Sequence, residues 1–205
     1  AFARSFGHEV LPAYPSLVQL HLASKIPPKM AGAKTQGEVS LLIDGKVKAK
    51  AAGDILFTPY GISGLAILDI SQSASYALLH KRRVSISLNL LPQFDTQTLA
   101  NTLEKLSASV PRHSVATVLG GLIPAKIASS LLEETAIPPS APLGTLSPKE
   151  IKKIAHTLHD WRFDVSDTHG FKHAEVSGGG VSTAQVNPKT MESELVKGLY
   201  FAGEV

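Results

Sequence analysis

The 205-residue chain carries a formal net charge of +3, with 43% hydrophobic and 18% charged residues, a balance that fits a globular product with a buried core. It has no cysteine, which excludes disulfide staples, thiol nucleophiles and thiolate metal sites and suits a reducing, cytoplasmic setting. Basic residues are scattered apart from His80-Lys-Arg-Arg83, aromatics are 6%, and no apolar run nears the roughly 18–20 residues that span a bilayer, so neither nucleic acid nor membrane is an expected partner.

The residues up to Gly7 read as the last turns of a helix closed by glycine at its C′ position. Residues 15–91 are β-biased. Leu17 to Leu22 alternates, Gly37 to Ile43 turns through Asp44-Gly45 into Lys46 to Lys50, and Val84 to Leu90 alternates again. Between them Ile62 to Leu79 takes helical spacing, with Ser63 as its expected N-cap and the His80–Arg83 run complementing its C-terminus.

From Asp95 to about His159 the pattern is helical. Asp95 caps one helix, Pro124 opens a second, and Ser147-Pro148-Lys149-Glu150 is a capping box opening a third. The linker from Ile137 to Gly144 holds three prolines and cannot be helical. After Trp161 strands return at Phe163–Val165, Phe171–Val176 and Gly198–Ala202. A β part, a helical part and β again predict a helical excursion inserted into a β unit.

The chemistry-bearing segments are few. Ser177-Gly-Gly-Gly180-Val181 lets backbone N–H groups approach a flat or anionic ligand, with a flexible turn as the plain alternative. In Thr190-Met-Glu-Ser193 the hydroxyls are placed to contact a phosphate or cap a turn, and Met191 to lie against an aromatic ring. Phe57 to Gly64 is a glycine-containing strand-to-helix turn matching neither a P-loop nor a dinucleotide fingerprint, and reads as helix capping. Gly203-Glu204 pairs close backbone approach with a carboxylate that accepts hydrogen bonds from sugar hydroxyls. His156 and His159, with His169 and His173 further on, lack any H-E-x-x-H spacing, so no metal site is expected.

Taken together, Gly7-His8, Pro15 to Val18, Gly53 to Thr58, Gly61 to Gly64, Ala174 to Val181, Thr190 to Ser193 and Gly198 to Glu204 resemble the bacterial FAD/NAD(P)-dependent oxidoreductases with an insert domain, among them the aminoacetone-oxidase-like and bile-acid-reductase-like flavoproteins. The resemblance covers essentially the whole chain. It departs at Pro59, where the family has a Phe-Thr-His turn, at Leu65, where its helix starts Ser-Gly-Pro, and at Ser177, where it has Thr.

The resemblance implies an α+β fold: a β-barrel-like subdomain carrying a helical subdomain, with remnants of a Rossmann-like FAD domain at both ends. The implied divisions are 1–12 and 187–205 for the remnants, 13–92 and 161–186 for the β-rich part, and 93–160 for the helical part. It also implies that Gly179, Gly180 and Val181 lie near the isoalloxazine ring, that Thr190, Met191 and Glu192 lead back into the FAD domain, and that Gly203 and Glu204 flank the ribityl chain. The expectation is a segment of a larger flavoprotein oxidoreductase, inactive and FAD-free alone, with NAD(P)H as electron donor and a small-molecule substrate. Substrate identity and oligomeric state are not set by the sequence. The alternative is an interaction module without catalysis, docking a protein or nucleic acid.

Overall fold

The protein, seen in a computed structural model, is described over residues 2–203. Helix α1 (Phe2–Ser5) ends as the sequence implies: the N–H of Gly7 bonds the Arg4 carbonyl, that of His8 bonds Ala3, and Gly7 has φ 86°. Strands β1 (Val10–Ser16), β2 (Leu20–Leu22), β3 (Lys34–Ile43), β4 (Lys46–Thr58) and β5 (Gly61–Ser63) follow. Then come helix α2 (Leu65–Leu79) and strand β6 (Val84–Asn89). Four helices, α3 (Thr96–Ser109), α4 (Val115–Gly120), α5 (Ala125–Thr135) and α6 (Pro148–His159), precede β7 (Trp161–Thr168) and β8 (Val176–Val181).

Six strands close into an antiparallel barrel in the order β2-β5-β4-β3-β6-β7, with β2 also pairing β7. Alternation decides what faces inward: Val39 and Leu41 of β3, Ile55 and Phe57 of β4, Ile86 and Leu88 of β6, and Phe163 and Val165 of β7 are all buried. The β3–β4 hairpin turns on Asp44 and Gly45, both at positive φ (51° and 77°), the pairing that a two-residue hairpin of primed type needs.

Strands β6 and β7 are barrel neighbours, yet the whole α3–α6 unit lies between them in sequence. The α+β fold with a helical excursion from a β unit is therefore the observed one. The excursion is tied to the barrel where the Leu90 N–H bonds the Leu158 carbonyl at 2.8 Å, and Leu90, Leu91, Leu158 and Trp161 continue the barrel core into the helical one. The caps at Asp95, whose side chain accepts from the Thr98 N–H, and at Ser147 with Glu150, form as the sequence implies.

Several local expectations are corrected. Ser63 is not a cap: it pairs with Leu56 at the end of β5, and Gly64, whose φ of 102° and contact with the Asp54 carbonyl admit no side chain, occupies the N-cap position of α2. The His80–Arg83 run closes α2 by backbone alone, with Lys81 at φ 54° and the N–H groups of Lys81 and Arg82 bonding Leu78 and Ala77, while the two arginines reach away to Asp44 and Asp164. Helix α4, capped by Ser114, went unread in the sequence because six residues are too short for periodicity to register.

The third β region also differs. Phe171–His173 is a turn of 3-10 helix rather than strand, and the glycine run that reads as a turn is strand β8. Among the described residues, Gly198–Ala202 makes only the isolated bridge Glu192↔Tyr200. Outside the barrel, β8 pairs with β1 in a two-stranded ribbon whose register shifts between Leu11 and Tyr14. No helix among the described residues is long and apolar enough to cross a membrane.

Candidate functional site

The ribbon forms one wall of a groove of about 610 Å³, within the range of roughly 300–1,000 Å³ usual for small-molecule sites. Ser177 to Val181 of β8 and Ala13 of β1 make this wall, Thr183 and Val186 make the base, and Met191, Phe201, Ala202 and Gly203 make the facing wall. The glycines answer first to packing. A Cβ at Gly178 would run into the Tyr14 ring and one at Gly179 into the Pro12 carbonyl oxygen, so the bulged β1 strand demands both. Gly179 and Gly180 also take φ of 87° and 93°, which L side chains rarely adopt.

A tight network shapes the facing wall. The Asn187 side chain accepts from the N–H groups of Lys189 (3.0 Å) and Thr190 (3.2 Å), the Thr190 hydroxyl accepts from the Glu192 N–H, and the Glu192 carboxylate accepts from the Gly198 N–H at 2.7 Å. Met191 is thereby held at φ 60°, half exposed to the groove, and its carbonyl accepts from the Phe201 N–H at 2.9 Å. Underneath, the buried His8 meets Ser193 at 2.8 Å and packs edge-on against Phe201, with centroids 4.9 Å apart.

Of the residues singled out in the sequence, Gly179, Gly180, Val181, Met191 and Gly203 are brought together on this groove. Thr190 and Glu192 are not on it; they fix the loop that presents Met191. Glu204 lies outside the described residues. Sequence reasoning missed Ala13, Phe201 and His8.

A second cluster sits where the short β2 closes the barrel. His21 Nε2 and His169 Nδ1 share a hydrogen bond of 2.8 Å, Tyr60 stacks on His169 at 3.9 Å and 10°, and His173 lies 4.1 Å from His169 on its own turn. Tyr60 follows Pro59 in the β4–β5 turn, so the imidazoles of His21 and His169 pack against that turn. Burial, then the neighbouring His173 and His21, hold His169 below the ordinary imidazole value. Among the described residues no three His, Asp or Glu side chains are placed to hold a metal ion.

Residues 14–176 match the family model described as HI0933-like protein barrel and H2TH domain. Over all of its 205 residues the chain is 31% identical to a 3-dehydro-bile acid delta(4,6)-reductase of Clostridium scindens. Over 99% of its length it is 34% identical to a ribosomal RNA dihydrouridine synthase of Escherichia coli and 30% identical to one of Haemophilus influenzae. The chain spans about half the length of these curated relatives, 50%, 48% and 48% respectively.

Proposed function

Because the chain belongs to the HI0933-like barrel and H2TH domain family, we propose that it is the substrate-side part of a flavin-dependent reductase that saturates a carbon–carbon double bond conjugated to a carbonyl. A bile-acid delta(4,6)-reductase and a dihydrouridine synthase share that kind of step. On this reading residues 1–12 and 187–205 belong with an FAD-binding part, 13–92 and 161–186 with the barrel part, and 93–160 with the helical part.

The observation that carries the proposal is the groove between Ser177–Val181 and Met191–Gly203. It fits a flat, largely apolar ring with a polar rim. Val181, Val186, Met191 and Phe201 offer apolar faces, the glycines leave backbone exposed, and a Cβ at Gly203 would meet nothing within 4 Å, so the rim is clear for a sugar-like chain. FAD, when bound, supplies the hydride, and NADH or NADPH is the donor that restores it.

The chain's own residues bind, orient and exclude water. Gly179, Gly180 and Val181 lie along the ring, Met191 covers one face, Thr190 and Glu192 hold Met191 in place, and Glu204 accepts a hydrogen bond from a ribityl hydroxyl beside Gly203. The barrel and helices close over the flavin and shape the substrate pocket. Purifying the full-length protein tests this: it should be yellow, with a visible flavin band that NADH or NADPH bleaches in the absence of oxygen. A colourless full-length protein that takes up no FAD would refute it.

A further inference from the structure

We propose that His169, hydrogen-bonded to His21 and stacked on Tyr60, is the proton donor that completes reduction of a conjugated carbonyl substrate, a role that rests on the flavin-dependent function proposed above.

The chemistry sets the requirement. Saturating a carbon–carbon double bond conjugated to a carbonyl takes one hydride and one proton. Hydride added at the β-carbon moves the π electrons onto the carbonyl oxygen, and the enolate so formed takes a proton at the α-carbon. The substrate gains two electrons and the flavin loses two. The groove between β8 and Met191 serves only the hydride half, since no described side chain lining it is a carboxylic acid, imidazole, amine or phenol. Titratable neighbours of its facing wall are engaged: His8 is buried against Ser193, and the Glu192 carboxylate is tied to the Gly198 N–H.

The histidine cluster is the next feature along the same chain segment. The His169 N–H bonds the Gln19 carbonyl at 2.9 Å and the Glu175 N–H bonds the Leu17 carbonyl at 3.3 Å. The turn carrying His173 is thereby laid along the end of β1, just before Val176 pairs with Ser16. Ser177, where the groove wall begins, follows His173 by four residues, a reach of at most about 14 Å. The turn and the start of β8 offer a flat apolar molecule an open surface, with Phe171 55% and Val176 36% exposed.

The two imidazoles are joined as a relay. In the neutral pair one ring donates across the 2.8 Å contact between His21 Nε2 and His169 Nδ1, and the other accepts. With His21 donating, the proton of His169 sits on Nε2. That nitrogen and His21 Nδ1 have no hydrogen-bond partner among the described residues, and neither is shut off from solvent. As the His169 Nε2–H gives its proton to the α-carbon, the His21 proton crosses to His169 Nδ1 and a solvent proton arrives at His21 Nδ1. Neither ring is left charged, and exchange with water restores the starting tautomers. Burial, then His173 and His21, favour this neutral form by holding His169 below the ordinary imidazole value. Tyr60 at 3.9 Å and His173 at 4.1 Å pack against the His169 ring and fix its plane. His21 is the positioning residue.

The test uses the full-length protein, with flavin content measured first. A colourless protein would overturn the flavin reading and this one together, and a yellow one isolates the proton donor. Protein reduced with dithionite under argon is mixed with cyclohexenone, and flavin reoxidation is followed. His169→Ala should slow this step about a hundredfold or more, with flavin content and reduction by NADH or NADPH as in the parent, and added imidazole should restore it. His21→Gln should slow it less, and Lys172→Ala on the same turn should match the parent. Para-nitrophenolate mimics the enolate and reports its own binding by its colour, without turnover; His169→Ala should bind it about tenfold more weakly. Thermal unfolding in mild alkali checks that each variant is folded, and His169→Gln replaces His169→Ala in both measurements if the latter is not. An enone that leaves the parent's reduced flavin untouched, equal slowing of both half-reactions, no rescue by imidazole, or phenolate binding indifferent to His169 would each overturn the proposal.

Discussion

The Ser193 hydroxyl donates to Nε2 of His8 at 2.8 Å across 185 residues of chain, because its acceptor positions are taken by the N–H groups of Leu195 (3.0 Å) and Val196 (2.8 Å). Nε2 is then the acceptor, and the imidazole proton sits on Nδ1, which is buried without a partner among the described residues. This bond pins the facing wall of the groove to the first turn of the chain. Ser193→Ala leaves an imidazole nitrogen and two N–H groups unmatched, at about 1–3 kcal/mol. A protein of this size then loses about 2–4 °C of Tm for each kcal/mol. Thermal unfolding checks it, and an unchanged Tm would contradict the pin.

The β8 glycines offer a sharper contrast. Gly179→Ala combines φ 87° with a clash against the Pro12 carbonyl oxygen, whereas Gly198→Ala has φ 82° and open space. The second change should cost about 1 kcal/mol for the backbone alone, and the first about 3 kcal/mol or more. Chemical denaturation of the two variants measures the gap. Equal costs would mean that β8 is a loose loop rather than a packed ribbon.

The capping box of α6 gives a modest, local effect. Ser147 and Glu150 bond one another reciprocally, and the Ser147 hydroxyl and N–H hold the Glu150 carboxyl below the usual value. Ser147→Ala should cost about 1 kcal/mol. The Glu150 contribution is present above its unfolded pKa and fades as pH falls through the lowered folded one, so the gap between variant and parent should narrow in acid, while the part carried by the Glu150 N–H bond to the Ser147 hydroxyl remains. A gap that does not narrow in acid would contradict this.

The histidine cluster predicts pH dependence near neutrality. His169 is held below the ordinary imidazole value by burial, His173 and His21. The unfolded chain therefore takes up a proton first as pH falls below about 6.5, and folded stability declines from there toward the lowered folded value. His169→Gln should flatten the Tm profile between pH 8 and about 5. Solvent and salt screen this half-buried site, so the effect is small. A parent profile already flat through this window would count against the cluster as drawn.

How much of this was legible in the sequence divides along physical lines. The hairpin at Asp44-Gly45 and the caps at Asp95 and Ser147 are local events, fixed by turn chemistry and by side chains bonding N–H groups three residues on, and they were read correctly. The barrel's closure, the β1–β8 pairing and the His8–Ser193 bond join residues far apart in sequence, and nothing local encodes them. The glycine run misled for the same reason: Gly178 and Gly179 are small because Tyr14 and Pro12 lie against them. That Gly179–Val181, Met191 and Gly203 line one groove is likewise a long-range outcome, and no one of these segments points to it alone.

The most direct test of the central claim is flavin retention by the full-length Met191→Asp variant. Met191 is 52% exposed at φ 60°, a conformation that aspartate tolerates better than methionine, so the variant should fold with unchanged stability. A carboxylate against the ring face of the proposed flavin should release it, leaving the purified variant with a visible flavin band several-fold weaker per mole of protein than the parent. A variant as yellow as the parent, with the same Tm, would show that the groove between β8 and Met191 is not where the flavin lies.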